Sequence, residues 1–327
     1  MASKLYILFR RPAALLLWAA VLCVACSKTQ TEEAPEELSL RAAAAVTKVD
    51  PELSGASLGT DNTYVIYASA STAEQPSYLL DQLFQYNGAD AKWHAAPDPV
   101  YWPLQGIPVD FLALAMKPAA HTTLMPIWLS ASTVIFPEWD VARNQYDLMY
   151  AVKNGQSNVG TVPLVFDHAL AVVGFTAKCD TEADVYTLKD IRLEDLQYRG
   201  TLTVDNSRTT PSLTWDVLHD EAHIAARQVP LLADDFSVPG PTATVAASKC
   251  TNHMLVMPQM SRSVTLIYHV RNSIPDLTFT LPLPRMAWKA GFRYIYNLTF
   301  SATAITVSSI VVSSWDGTPL EVIETIS

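Results

Sequence analysis

Residues 264–281 read VTLIYHVRNSIPDLTFTL, and their reading decides the fold class. Val264, Leu266, Tyr268 and Val270 alternate with Thr265, Ile267 and His269. After a turn holding Asn272, Pro275 and Asp276, Leu277, Phe279 and Leu281 alternate with Thr278 and Thr280. A period of two places successive side chains on opposite faces, so the stretch predicts a β-hairpin with one apolar face. Working outward, Tyr294, Tyr296, Leu298 and Phe300 repeat the period. Ile305 and Val307 followed by Ile310 and Val312 predict a strand with a one-residue slip near Ser308 and Ser309. Further strands are expected at 64–70, 111–115, 148–152, 162–177 with a break, 187–193, 201–204 and 255–257. Long helical periodicity is scarce, and 21 Pro fit turns and strand edges rather than helix interiors. The expected fold is therefore all-β, of the sandwich type.

The stretch from Asn154 to Gly160 is the most linker-like internal segment. It predicts a boundary near residue 160, with an amino-terminal domain at 42–160 and a carboxy-terminal domain at 161–327. It also reads as a hairpin loop, the strand at 162–177 then closing the first sheet. A chain of 327 residues with 50% hydrophobic and 17% charged residues can bury a large core. Its 22 Lys and Arg against 32 Asp and Glu contain no basic run, which disfavours nucleic acid as a partner.

The amino terminus reads as an address. Lys4, Arg10 and Arg11 precede the apolar run Ala13–Ala25, which at 1.5 Å per residue reaches about 20 Å, short of a ~30 Å hydrocarbon core. Residues 1–25 are therefore expected to be an export signal. The run ends in Cys23-Val24-Ala25-Cys26-Ser27, similar to a bacterial lipoprotein signal in which Cys26 is acylated. A palmitate-class anchor on Cys26 would tie the chain to the outer membrane, each buried methylene contributing about 0.8 kcal/mol. Residues 27–37, with Glu32, Glu33, Glu36 and Glu37, read as a solvated tether. With Cys23 removed and Cys26 acylated, Cys179 and Cys250 remain, either as a disulfide or as two buried thiols.

Four segments in fixed order resemble the fimbrillin family, the lipoprotein pilins of type V fimbriae. They are Val100-Tyr101-Trp102-Pro103 with Val109-Asp110-Phe111-Leu112-Ala113; the run from Val162 to Ala171 containing Phe166-Asp167-His168-Ala169-Leu170; Leu255-Val256-Met257-Pro258-Gln259; and Ala290-Gly291-Phe292-Arg293-Tyr294-Ile295-Tyr296-Asn297-Leu298, followed by Trp315-Asp316. The resemblance implies two transthyretin-like β-sandwich domains in tandem, export as a lipidated precursor to the cell surface, and maturation by an Arg-specific protease. It further implies that removal of the first strand opens a groove filled by a strand of the next fimbrial subunit, in the service of adhesion or biofilm formation. Residues 26–41 would then hold the tether and the removable segment. Arg41 is the only Arg between Cys26 and Arg143, so the Arg41–Ala42 bond is the expected processing site. The carboxy end offers donor strands at Thr303–Val312 and Leu320–Ile326.

Other constellations carry less. His219 and His223 are four apart, but the intervening Glu221 fits neither zinc-protease arrangement, so a polar turn rather than a metal site is expected. No nucleophile elbow or phosphate-binding Gly-rich loop is present, so neither an enzyme nor a cofactor is expected. His168 lies in an apolar run and reads as a satisfied core residue. Exposed, coplanar Trp would favour a monomeric glycan-binding lipoprotein; buried Trp would favour a structural subunit, whether stalk, tip or anchor.

Overall fold

Seven strands close on themselves as a barrel. In order round the ring they are β1 (Ser39–Ala44), β4 (Lys92–Ala95), β3 (Leu79–Asn87), β2 (Val65–Ser71), β5 (Val109–Met116), β8 (Leu148–Gln156) and β9 (Thr161–His168). Neighbours are antiparallel except β1 and β9, which run parallel. The computed structural model describes residues 35–44, 58, 64–103, 106–117, 126–157, 160–181, 185–217, 231–232, 234–271, 275–315 and 319–324.

The remaining strands form open sheets. A five-stranded sheet has the order β15 (Met254–Val256), β10 (Ala171–Cys179), β20 (Phe292–Phe300), β21 (Ile305–Ser314) and β22 (Pro319–Glu324). A four-stranded sheet contains β14 (Phe236–Ser237), β11 (Tyr186–Glu194), β17 (Ser263–Val270) and β18 (Leu277–Pro282). Another holds β13 (Ser212–Val217), β12 (Arg199–Asp205), β7 (Thr133–Asp140) and β6 (Ile127–Ser130), and β16 (Gln259–Met260) pairs with β19 (Ala287–Trp288). Helix α1 (Val245–Ser248) is one turn long, and the Thr244 side chain caps it by accepting from the Ala247 N–H.

The all-β expectation holds, and so does the hairpin that led to it: β17 pairs with β18 from Ser263↔Pro282 to Tyr268↔Leu277. The slip near Ser308 is a bulge, because Asn297 pairs with Ser309 while Leu298 pairs with Val307, leaving Ser308 to donate its hydroxyl to the Asn297 carbonyl. The break expected within 162–177 falls at Ala169–Leu170, between β9 and β10. Residue 160 lies in the connection from β8 to β9, and both of those strands belong to the barrel.

Two apolar clusters organise the interior. The smaller fills the barrel with Leu38, Leu40, Phe84, Trp93, Phe111 and Phe166; the larger includes Trp139, Phe175, Tyr296 and Phe300. Strand β5 serves both. Phe111, Ala113 and Ala115 face the barrel interior, while Leu112, Leu114 and Met116 enter the larger cluster. Its apolar run is continuous because both faces are covered. Trp93, Trp102, Trp139, Trp288 and Trp315 are buried, and Trp128 and Trp215 are half-buried, so the described Trp residues pack the interior rather than form an exposed platform.

Candidate functional site: the strand that closes the barrel

Strand β1 is the keystone of the ring. It pairs antiparallel with β4 through Ser39↔His94 and Leu40↔Trp93, and parallel with β9 from Ser39↔Thr161 to Ala44↔Phe166. Leu38 and Leu40 point inward and are fully buried. At about 1.5–3 kcal/mol per fully buried Leu, these two side chains hold the strand in place. The residues that follow, Ala42 and Ala43, bring only methyl groups.

Arg41 sits at the changeover. Its side chain is exposed and its register partner on β9 is Pro163, which has no N–H to contribute at that level. Both Leu anchors therefore lie on the amino-terminal side of the Arg41–Ala42 bond, and only alanines follow within β1.

A clasp on the barrel rim holds the start of this segment. The Leu38 N–H donates to the Val100 carbonyl at 2.7 Å, the Trp102 N–H donates to the Glu36 carbonyl at 2.9 Å, and Glu37 forms a bridge with Tyr101. Trp102 in turn donates its Nε1–H to the Gly160 carbonyl at 2.9 Å and packs edge-on against Phe111, while Tyr78 donates its hydroxyl to the Tyr101 carbonyl. The Tyr101-Trp102 pair thus fastens the first segment. This corrects the reading of 27–37 as tether throughout, since Glu36 and Glu37 pair through their backbones while their side chains stay exposed.

His94 completes the clasp. Its Nδ1 lies 2.8 Å from Glu37 Oε1 and its Nε2 lies 2.9 Å from Asp90 Oδ2. The hydrogen bond to Glu37, then that to Asp90, holds its pKa above the usual imidazole range against the opposing effect of burial. Asp90 is lowered in return, chiefly by its bond to His94. Sequence reasoning missed His94, because its two partners lie 57 and 4 positions away and no motif joins them.

At the far end of β1 a cavity of about 670 Å³ opens beside Ala43, between Tyr150 and Val165 on the barrel and Ala290, Phe292 and Trp315 on the other side. Its far wall is pinned by the Gly291 N–H donating to the Leu170 carbonyl at 2.8 Å, at a turn where Gly291 has φ +77°. His168 also borders it. The imidazole is buried, its Nδ1 2.8 Å from Asp147 Oδ2, and stacks on Trp315 at 3.9 Å between ring centroids. Among the described residues His168 Nε2 and Asp147 Oδ1 have no hydrogen-bond partner, so this histidine is only half satisfied.

The carboxy-terminal candidates separate clearly. β21 lies between β20 and β22 with Ile305, Val307, Ile310 and Val312 buried, so the 303–312 run is an interior strand and not a detachable one. β22 is an edge strand, with Leu320 58% and Val322 55% exposed. Cys179 and Cys250 are both buried and not joined in a disulfide. The Cys179 thiol faces the Val238 carbonyl and the Cys250 thiol the Phe175 carbonyl, and burial pushes the Cys250 pKa up to about 12. Cys26, the export signal, residues 27–34, His219 and His223 lie outside the described residues.

A family model described as fimbrillin-like matches residues 54–315. The chain belongs to the fimbrillin-like family. Solved structures share the fold of this fimbrillin-like chain. A fimbrial protein of Bacteroides vulgatus superposes with a TM-score of 0.60 at 14% identity, covering 86% of this chain and 99% of that one. A candidate cell adhesion protein of Bacteroides uniformis gives 0.54 at 18% identity, covering 85% and 99%. One from Bacteroides ovatus gives 0.51 at 14%, covering 90% and 98%. No curated protein sequence matches the fimbrillin-like chain. Family membership supports a fimbrial subunit at the cell surface, and among the described residues no helix is long and apolar enough to cross a membrane.

Proposed function

We propose that the chain is a non-enzymatic structural subunit of a cell-surface fimbrium, exported as a lipoprotein through Cys26, cut after Arg41 by an Arg-specific protease, and joined to its neighbours by strand complementation. The observation that carries this reading is the position of Arg41: exposed on the one strand that closes the barrel, with both Leu anchors upstream and only alanines behind it in β1. Cleavage there frees the anchored part of β1, leaving the edge of β4 without its partner and β9 held only by Ala42–Ala44. Such edges, beside an apolar interior, favour addition of a strand from another subunit. The two apolar clusters are read as the cores of the family's two tandem transthyretin-like sandwiches, and adhesion or biofilm formation as the use to which the polymer is put. The burial of most Trp residues favours this reading over a glycan-binding monomer.

The test uses the chain beginning at Ser27, treated with an Arg-specific protease, and reads the new amino terminus and the size distribution. A terminus at Ala42 with a ladder of higher oligomers is expected, and Arg41→Gln should give neither. Cleavage after Arg41 that leaves only monomer would overturn polymerisation by strand exchange.

A further inference from the structure

The cavity beside Ala43 has two unlike walls. Strands β8 and β9 build the first. Tyr150 and Asp167 are register partners on them, so their side chains stand on one face with Cβ atoms about 4.5–5.5 Å apart, and Val165, two residues before Asp167, continues that face. The other wall is Phe292 and Trp315 with the small residues Ala290 and Gly291. At about 670 Å³ the space is of the size that holds a small organic molecule, roughly 300–1,000 Å³.

The charge in this space has one sign. Asp167 is exposed and forms no ion pair among the described residues, and no Lys or Arg lines the cavity. Its field reaches Tyr150, whose pKa is pushed above the usual phenol value by burial first and by Asp167 second. Among the described residues the Tyr150 hydroxyl has no hydrogen-bond partner, so its oxygen is open to a donor. His168 adds a second unsettled group. It borders the cavity, its Nδ1 is committed to Asp147, which does not, and its buried Nε2 is unpaired among the described residues. Such an atom calls for a partner, and a ligand or the water it brings supplies one. Three aromatic rings, those of Tyr150, Phe292 and Trp315, complete the lining. Ring faces carry partial negative charge, so with a carboxylate beside them they favour a cation, and their apolar bodies favour one that brings apolar surface of its own.

We propose that this cavity binds a small organic cation, an ammonium head on an aromatic or aliphatic body, with the head held by Asp167 and the Tyr150 hydroxyl and the body against Phe292 and Trp315. A carboxylate or phosphate ligand would meet Asp167 with no cation to offset it. A free sugar would find too few hydrogen-bonding groups for its hydroxyls on walls this apolar. The site lies outside the part of β1 that precedes Arg41, and its one β1 residue, Ala43, pairs with Val165. It is therefore complete in the uncut, unassembled chain, and it stands or falls apart from strand complementation.

The experiment uses the uncut chain from Ser27 and three probes of nearly one shape, phenethylammonium, phenylethanol and phenylacetate, titrated by calorimetry at low salt. Phenethylammonium should bind at one site per chain, and the alcohol and the acid at least about tenfold more weakly. Asp167→Asn, a change at an exposed position, should weaken phenethylammonium about tenfold and leave phenylethanol where it was, a split that mere loosening of the fold would not produce. Tyr150→Phe should weaken the ammonium severalfold in the same selective way. Ala43→Phe, which puts a ring into the cavity from β1, should weaken every probe. Circular dichroism of each variant checks folding. Equal binding of ammonium and alcohol to the parent chain, an Asp167→Asn variant that binds the ammonium as the parent does, or no saturable binding of phenethylammonium up to about 10 mM would each overturn the site. None of these outcomes bears on whether the cut chain assembles, which the protease experiment reads separately.

Discussion

His94 shows how one side chain can tie a removable segment to a barrel. It bridges Glu37, which precedes the cut, and Asp90, which stays behind, so its bonds cross the line along which the structure would separate. A group whose folded pKa is raised contributes stability that is fully present below its ordinary value near 6.5 and is lost as pH rises through the raised value. The direction given by Glu37 and then Asp90 therefore predicts a clasp that holds in mildly acidic solution and loosens as the pH rises through the raised value. His94→Gln keeps a polar side chain without the charge. It should lower the melting temperature of the uncut chain at pH 6 by about 1–2 °C, as befits a partly exposed pair, and match the parent at pH 9. A constant difference across that range, measured by calorimetry, would show that packing rather than charge is what the histidine supplies.

At the scale of elements, the edge strand β22 and the interior strand β21 differ in what their loss would do. β21 is hydrogen-bonded on both sides and buries four β-branched side chains, so the second apolar cluster depends on it. β22 adds one row of bonds and exposes most of its surface. A chain ending at Asp316 should therefore fold, melt within a few degrees of the parent, and be cut normally, yet supply no strand; mixed with cut parent chains it should shorten the ladders. A truncated chain that extends ladders as the parent does would remove β22 from the assembly. This contrast was only partly legible in the sequence. β20, β17 and β18 announce themselves by alternation, and β5 and β10 by continuous apolar runs. β3 (LLDQLFQYN) was not legible, because Asp81 takes φ +54° and interrupts its pairing with β2 between Ala68 and Ala70, breaking the period. Arg41 stood out because it is alone in a long stretch. The rim clasp did not, since Glu36 and Leu38 are held through backbone groups, which no side-chain pattern reports. The cavity beside Ala43 did not either, because Ala43, Val165, Ala290 and Trp315 meet only in the folded chain.

At the scale of the whole molecule, β5 is the wall between two interiors, and the loss of β1 falls on only one of them. The smaller cluster loses Leu38 and Leu40 together with the seam between β4 and β9. The larger one is built mainly on β10, β11, β17, β20 and β21, none of which pairs with β4 or β9. Excision should therefore soften the molecule unevenly, since regions open in units that follow their own contacts. In the cut, unassembled chain, kept dilute, amide hydrogen exchange should speed up by at least about tenfold along β4 and β9, stay intermediate along β5, and remain unchanged along β20 and β21. Addition of a synthetic peptide spanning 319–327 should restore slow exchange along β4 and β9 first, since the incoming strand replaces bonds there. Uniform acceleration through β20 and β21 would mean instead that the two interiors stand or fall together, and that an unfilled subunit unfolds as a whole rather than waiting, with its second core intact, for the strand of a neighbour.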